Sequence, residues 1–168
     1  MEAYNIFLIG FMGTGKSTIA AHMGKMQAME IVEMDCEIAR RAGMSISEIF
    51  AEKGEEYFRN LEARFIREME NKRNCIVSCG GGVVLKEENV SRMKKSGKIV
   101  LLTASPEVIY ERVKDDEERP LLKGHKSVEE ISELMEGRRE KYEKAADVLI
   151  STDGKSVEEI CTEISGCF

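Results

Sequence analysis

The run Gly10-Phe11-Met12-Gly13-Thr14-Gly15-Lys16-Ser17 reads G-x-x-x-x-G-K-S, the pattern of a phosphate-binding loop. It follows a short apolar run, Ile6-Phe7-Leu8-Ile9, and precedes a segment able to be helical from Lys16 to about Met26. Such a loop needs this strand–turn–helix setting. Glycines let backbone N–H groups curl around phosphate oxygens, and the helix start adds its own free donors and partial positive charge. Lys16 brings a full charge to the β and γ phosphates, and Ser17 offers an oxygen to Mg2+. The loop restricts the fold to an α/β architecture and the ligand to a nucleotide. The reaction stays open, because switches, motors and kinases all use it.

The rest of the chain agrees with a parallel sheet. Candidate strands fall at 5–9, 30–33, 75–78, 98–102 and 148–151, separated by segments long enough for crossover helices. Ser45-Ile46-Ser47-Glu48, Ser127-Val128-Glu129-Glu130 and Ser156-Val157-Glu158-Glu159 have the form of capping boxes, and Ser105-Pro106 puts a cap donor before a first-turn proline. From Gly54 to Asn71, Phe58, Leu61, Phe65 and Met69 recur at steps of three and four, which predicts a helix with an apolar stripe; Arg59 and Glu62 lie beside it. The stretch 115–126, charged and holding Pro120 and Gly124, reads as a mobile loop.

At 168 residues the chain is long enough for one full core, and it shows no repeat, linker or second domain. A net charge of −6 argues against a nucleic-acid or anionic-membrane surface. The five cysteines form an odd set without zinc spacing and are expected as free thiols in a reducing cytoplasm, with Cys75 and Cys79 packed as small hydrophobes. The first residues carry no basic flank and no apolar stretch reaches membrane-spanning length, so neither signal peptide nor transmembrane helix is expected.

Four further features narrow the chemistry. Glu33-Met34-Asp35 ends the second apolar run, and open parallel sheets gather their functional groups at carboxyl ends of strands. One acid there can serve Mg2+ and the other a substrate. Gly80-Gly81-Gly82 follows the third strand and offers bare N–H groups to a ligand. Arg59 can hold a carboxylate through two parallel hydrogen bonds. Arg119-Pro120-Leu121-Leu122 lies in the loop, and an arginine there can close over a nucleotide; Arg138 comes later.

Taken in order, these motifs resemble the shikimate kinase family over nearly the whole chain. The match comprises the phosphate loop, Asp35, and a G-x-S-I-x-E-I-F…G-E-x-x-F-R-x-x-E stretch at Gly43, Ser45, Ile46, Glu48, Ile49, Phe50, Gly54, Glu55, Phe58, Arg59 and Glu62. It continues with the triple glycine, R-P-L-L at 119–122, and R-x-x-x-Y at Arg138 and Tyr142. The resemblance implies a nucleoside-monophosphate-kinase-like P-loop fold, with a five-stranded parallel sheet flanked by helices. It implies one kinase domain over 1–168, a mobile lid near 112–126 and a substrate-binding helical region over 35–62.

The implied reaction moves the γ-phosphoryl group of ATP to the 3-hydroxyl of shikimate, on the route to aromatic amino acids. Gly13, Thr14, Gly15, Lys16, Ser17, Thr18, Arg112 and Arg119 would bind ATP. Asp35, Arg59, Gly80, Gly81, Gly82 and Arg138 would bind shikimate. Asp35 would be the base or orienting group for the hydroxyl, with Lys16 and Arg119 as catalytic cations; Ser17 and Glu33 would serve Mg2+. The expected partners are shikimate and ATP alone, with no nucleic acid or membrane, in a cytoplasmic monomer.

This chain departs from the family pattern at Glu33, where D-x-D is usual, at Glu140, where a proline is frequent, and near 154–157, which lacks an expected proline. The run Asp115-Asp116-Glu117-Glu118 reads as a solvated face. Two other readings compete: a related small-molecule kinase such as a gluconate kinase, and a catalytically weak nucleotide-binding sensor.

Overall fold

The computed structural model describes residues 2–115 and 127–168. Arg119, Pro120 and most of the expected lid lie outside them. Five strands form one parallel sheet: β1 (Asn5–Ile9), β2 (Glu30–Glu33), β3 (Cys75–Ser78), β4 (Gly97–Thr103) and β5 (Val148–Ser151), in the order β2-β3-β1-β4-β5. The central strand β1 pairs with β3 through Ile6↔Ile76 and with β4 through Ile6↔Lys98. All five of its residues are buried, as a central strand covered on both faces requires.

The strand period of two divides the core. Phe7, Ile9, Val77, Ile99 and Leu101 face one side; Ile6, Leu8, Ile76, Val100, Leu102 and Ile150 face the other. The second side is closed by α1 (Lys16–Gln27) and α8 (Val157–Ser165), through Ile19, Met23, Ile160 and Ile164. The first side is covered by α2 (Met34–Ala42), α3 (Ile46–Lys53), α4 (Glu55–Met69), α5 (Glu87–Ser96), α6 (Pro106–Val113) and α7 (Val128–Ala145). The stripe expected on α4 is real: Phe58, Phe65 and Met69 are buried, and Leu61 packs against the same core.

Local sequence sets where the helices begin. Ser45 and Ser156 form complete capping boxes with Glu48 and Glu159. Ser105 accepts from Val108 N–H ahead of Pro106, and Ser127 accepts from Glu130 N–H. The buried Asn5 ties the end of α4 to β1: its side-chain amide donates to Met69 O and Lys72 O, and its oxygen accepts from Cys75 N–H. All five cysteines are free, with Cys75 and Cys79 buried; burial pushes both thiols upward, so they stay neutral. Among the described residues no helix is long and apolar enough to cross a membrane.

Candidate active site

A cavity of about 580 Å³ opens at the carboxyl ends of β1, β2 and β3, within the usual range for ligand sites, about 300–1,000 Å³. One wall is the phosphate loop between β1 and α1. Gly15 takes φ 95° and caps α1 without a side-chain hydrogen bond, a left-handed conformation that favours glycine. Among the described α-helices, α1 alone has no acidic residue in its first turn. The helix therefore brings no acid of its own to its N-terminal N–H groups and partial positive charge, which suits a phosphate. Lys16 Nζ donates to Gly10 O at 2.8 Å and to Phe11 O at 3.1 Å, folded against the loop. Thr14 is 1% exposed and its hydroxyl donates to Phe11 O at 2.8 Å, so its side chain braces the turn from inside. Across the cavity, Arg112 Nη1 donates to Gly13 O at 2.7 Å and brings α6 onto the same loop.

Beside Lys16, the Ser17 hydroxyl donates to Glu33 Oε2 at 2.9 Å and lies 3.3 Å from Ser78 Oγ. The helix start and the end of β2 thus place a hydroxyl and a carboxylate side by side. This hard-oxygen set fits Mg2+, which takes one or two protein oxygens and fills the rest of its octahedron with water and phosphate. Among the described residues no three His, Cys, Asp or Glu side chains gather into a cage for a more fully protein-bound metal.

The opposite wall carries the acids and arginines. Asp35 sits in the first turn of α2, exposed to the cavity. Arg59 is 8% exposed. Its Nη1 donates to Glu62 Oε1 at 2.6 Å, and its Nη2 donates to Glu55 Oε1 at 3.1 Å. Burial works against its charge, but the Glu62 and Glu55 carboxylates outweigh burial and hold the guanidinium above its ordinary range. Glu62 is 1% exposed, and burial pushes its carboxyl up to about 7, with the Asp35 charge adding to the rise and Arg59 and Arg138 opposing it.

The triple glycine passes between these groups. A Cβ on Gly80 would stand 2.7 Å from Asp35 Oδ1 and 3.0 Å from Glu62 Oε2, and one on Gly82 would stand 2.6 Å from Arg59 Nη2. The backbone reaches the ion-pair cluster only because it carries no side chains there. Gly82→Ala should therefore push the clamped guanidinium aside and raise roughly tenfold the KM of any substrate held there by a carboxylate, with the KM of a nucleotide on the phosphate loop unchanged. Steady-state kinetics read both constants, and an unaltered substrate KM would show that the guanidinium position does not matter.

From α7, Arg138 Nη1 donates to Gly81 O at 3.2 Å, and the buried Tyr142 hydroxyl donates to the same carbonyl. Behind the turn, the Asn89 amide of α5 donates to Val83 O at 2.9 Å. The glycine turn is held from two helices, which keeps its remaining N–H groups in a fixed direction.

The fold brings most of the expected site residues together. Gly13, Gly15, Lys16, Ser17, Thr18, Glu33, Asp35, Arg59, Gly80, Gly81, Gly82 and Arg112 line one cavity. Arg138 reaches it through Gly81. Arg119 lies outside the described residues. Glu62 and Tyr142 belong to the family motifs, but the motifs by themselves mark neither as a site residue. The three-residue step from Arg59 to Glu62 places both on one helix face, and that was the available signal for Glu62.

The shikimate kinase family model matches residues 12–167. The chain belongs to the shikimate kinase family. A shikimate kinase of Persephonella marina is 45% identical over 162 residues, covering 96% of this chain and 97% of that relative. The crystal structure of shikimate kinase from Aquifex aeolicus is 40% identical with a TM-score of 0.82, covering 96% of this chain and 94% of that one. Shikimate kinase from Acinetobacter baumannii, solved in complex with shikimate, has a TM-score of 0.93 at 28% identity and covers 98% of this chain and 92% of that one. The shikimate kinase fold, a five-stranded parallel sheet flanked by helices, is the one expected from the phosphate loop and the alternating elements.

Proposed function

We propose that this chain transfers the γ-phosphoryl group of ATP to the 3-hydroxyl of shikimate, giving shikimate 3-phosphate and ADP, with the residues of the described cavity in named roles. The observation that carries the reading is the convergence of Asp35, Arg59, Glu62 and Arg138 on the glycine turn, beside a phosphate loop. Arg59 and Arg138 hold the substrate carboxylate, and Glu62 and Glu55 orient Arg59 for that task. Gly81 N–H adds a backbone donor on the same side. Family membership favours this acceptor over gluconate; both molecules carry a carboxylate, so the choice rests on the family and not on the clamp.

Asp35 takes the hydroxyl proton as the hydroxyl oxygen forms its bond to the γ-phosphorus. The bond from that phosphorus to the β–γ bridging oxygen breaks, and ADP leaves. Such a transition state asks for alignment and charge stabilisation more than covalent chemistry. Lys16 and the loop N–H groups hold the phosphates, and Arg112 borders the nucleotide. Arg119 is assigned to the phosphates from its R-P-L-L motif alone. Ser17 and Glu33 would hold Mg2+, which when bound screens charge on the β and γ oxygens. The longer Glu33 side chain already reaches Ser17 at 2.9 Å, so it can replace the usual aspartate. The proposed unit is a monomer, and its free thiols suit a reducing cytoplasm.

A coupled assay of ADP formation at saturating Mg·ATP, with and without shikimate, tests the reading. Turnover should require shikimate and stay at background with gluconate. ADP release that ignores shikimate would remove the assignment and leave the sensor reading.

A further inference from the structure

Glu62 is an unusual group in this cavity. It is 1% exposed, yet only Oε1 is engaged, by Arg59; Oε2 has no hydrogen-bond partner among the described residues. Oε2 lies 3.0 Å from the point where a Cβ on Gly80 would stand, and Asp35 Oδ1 lies 2.7 Å from that same point. The two carboxylates are thus within about 6 Å of each other, close enough for like charges to disfavour joint ionisation.

The groups facing Glu62 can be stated element by element. Arg59 and Glu55 are on its own helix α4, Asp35 is on α2, Arg138 and Tyr142 are on α7, and the neutral Cys79 thiol directly follows β3. The carboxylates of Glu55, Glu62 and Asp35 already outnumber the guanidinium groups of Arg59 and Arg138. A substrate carboxylate adds another negative charge, and its ring displaces water from the wall. Both changes raise the cost of a charged Glu62.

We propose that binding of the substrate carboxylate beside Arg59 is coupled to uptake of one solvent proton by Glu62, so that Glu62 is a neutral carboxylic acid in the substrate complex. The proton forms an O–H bond at Oε2. The orphan acceptor thereby becomes an O–H, while Oε1 keeps its bond from Arg59. This inference rests on the assignment of shikimate to the cavity. Its sign follows from linkage. Before substrate arrives, the Glu62 carboxyl titrates about 7, so below that pH it already holds the proton and binding takes up none. Above it, each pH unit should weaken shikimate binding by up to about tenfold, until the pKa of the bound state is passed.

Calorimetry of shikimate binding to the intact protein, in phosphate and in Tris at pH 8, reads the proton directly as the difference in heat between buffers of different ionisation enthalpy. The expected uptake is about half to one proton per shikimate at pH 8, falling toward zero near pH 6. The shikimate KM at saturating Mg·ATP should be flat below pH 7 and rise above it. Glu62→Gln should abolish the uptake and flatten the KM profile, whereas Asp35→Asn should retain the uptake. Shikimate binding with no proton taken up by the wild-type protein at pH 8 overturns the coupling but leaves the acceptor assignment standing. So does uptake unchanged in Glu62→Gln. Absence of any shikimate binding overturns both. If Glu62→Gln does not fold, the wild-type pH series and Asp35→Asn still decide between Glu62 and Asp35.

Discussion

Arg59→Ala should raise the shikimate KM by about 10²–10³-fold, in line with the 2–5 kcal/mol or so lost when one partner of a buried, hydrogen-bonded charge pair is truncated. The ATP KM should change by no more than about twofold, because Arg59 touches Glu55, Glu62 and the glycine turn but none of the phosphate-loop residues. The arginine also neutralises the buried Glu62, so a thermal melt belongs beside the kinetics. Without Arg59 the Glu62 carboxyl should rise further and stay protonated, which limits the damage to the fold. Arg59→Lys should fall between the two, since it keeps the charge and loses the planar fork. An unchanged shikimate KM in Arg59→Ala would contradict the carboxylate assignment.

Asp35→Asn should lower kcat by about 10²–10⁴-fold, the usual contribution of a positioned general base. Its melting temperature should move by only a few degrees, because Asp35 is exposed at the start of α2, where its charge contributes about 0.3–1 kcal/mol through the helix dipole. Shikimate should still bind, as Arg59 and Arg138 remain. A variant with near-wild-type kcat would remove Asp35 from the chemistry, and one that fails to fold would give it a structural role that its exposure does not suggest.

The two substitutions probe opposite ends of one small molecule, and their predicted effects differ accordingly. In its proposed role Arg59 would act on substrate binding before and during the reaction, so its loss should appear mainly in KM. In its proposed role Asp35 would act where the hydroxyl loses its proton, so its loss should appear mainly in kcat.

Much of the fold was legible because its signals are local. The intervals 5–9, 30–33, 75–78 and 148–151 became strands over the same residues. Only β4 differed, running from Gly97 to Thr103 rather than from Lys98 to Leu102. Short apolar runs bounded by polar residues or glycine mark such strands well. The helix expected from Gly54 to Asn71 runs from Glu55 to Met69, and the serine caps start α3, α6, α7 and α8 as expected. The phosphate loop was legible for the same reason, since all of its chemistry lies within eight consecutive residues.

The substrate wall was only half legible. Arg59, Asp35 and the triple glycine stood out as motifs, but their mutual positions did not. The bond from Ser17 to Glu33 spans 16 positions, and that from Tyr142 to Gly81 spans 61. Contacts of that range follow from strand order and helix packing, which no local pattern encodes.

The sequence by itself determined that this chain builds a phosphate loop on a parallel α/β sheet, because period, caps and glycine spacing act within a few residues. Only the tertiary structure decided that Glu62 is buried against Arg59 with one oxygen unpartnered beside Asp35. Burial and the field of distant charges are properties of the packed chain, and they give an ordinary glutamate its raised affinity for a proton.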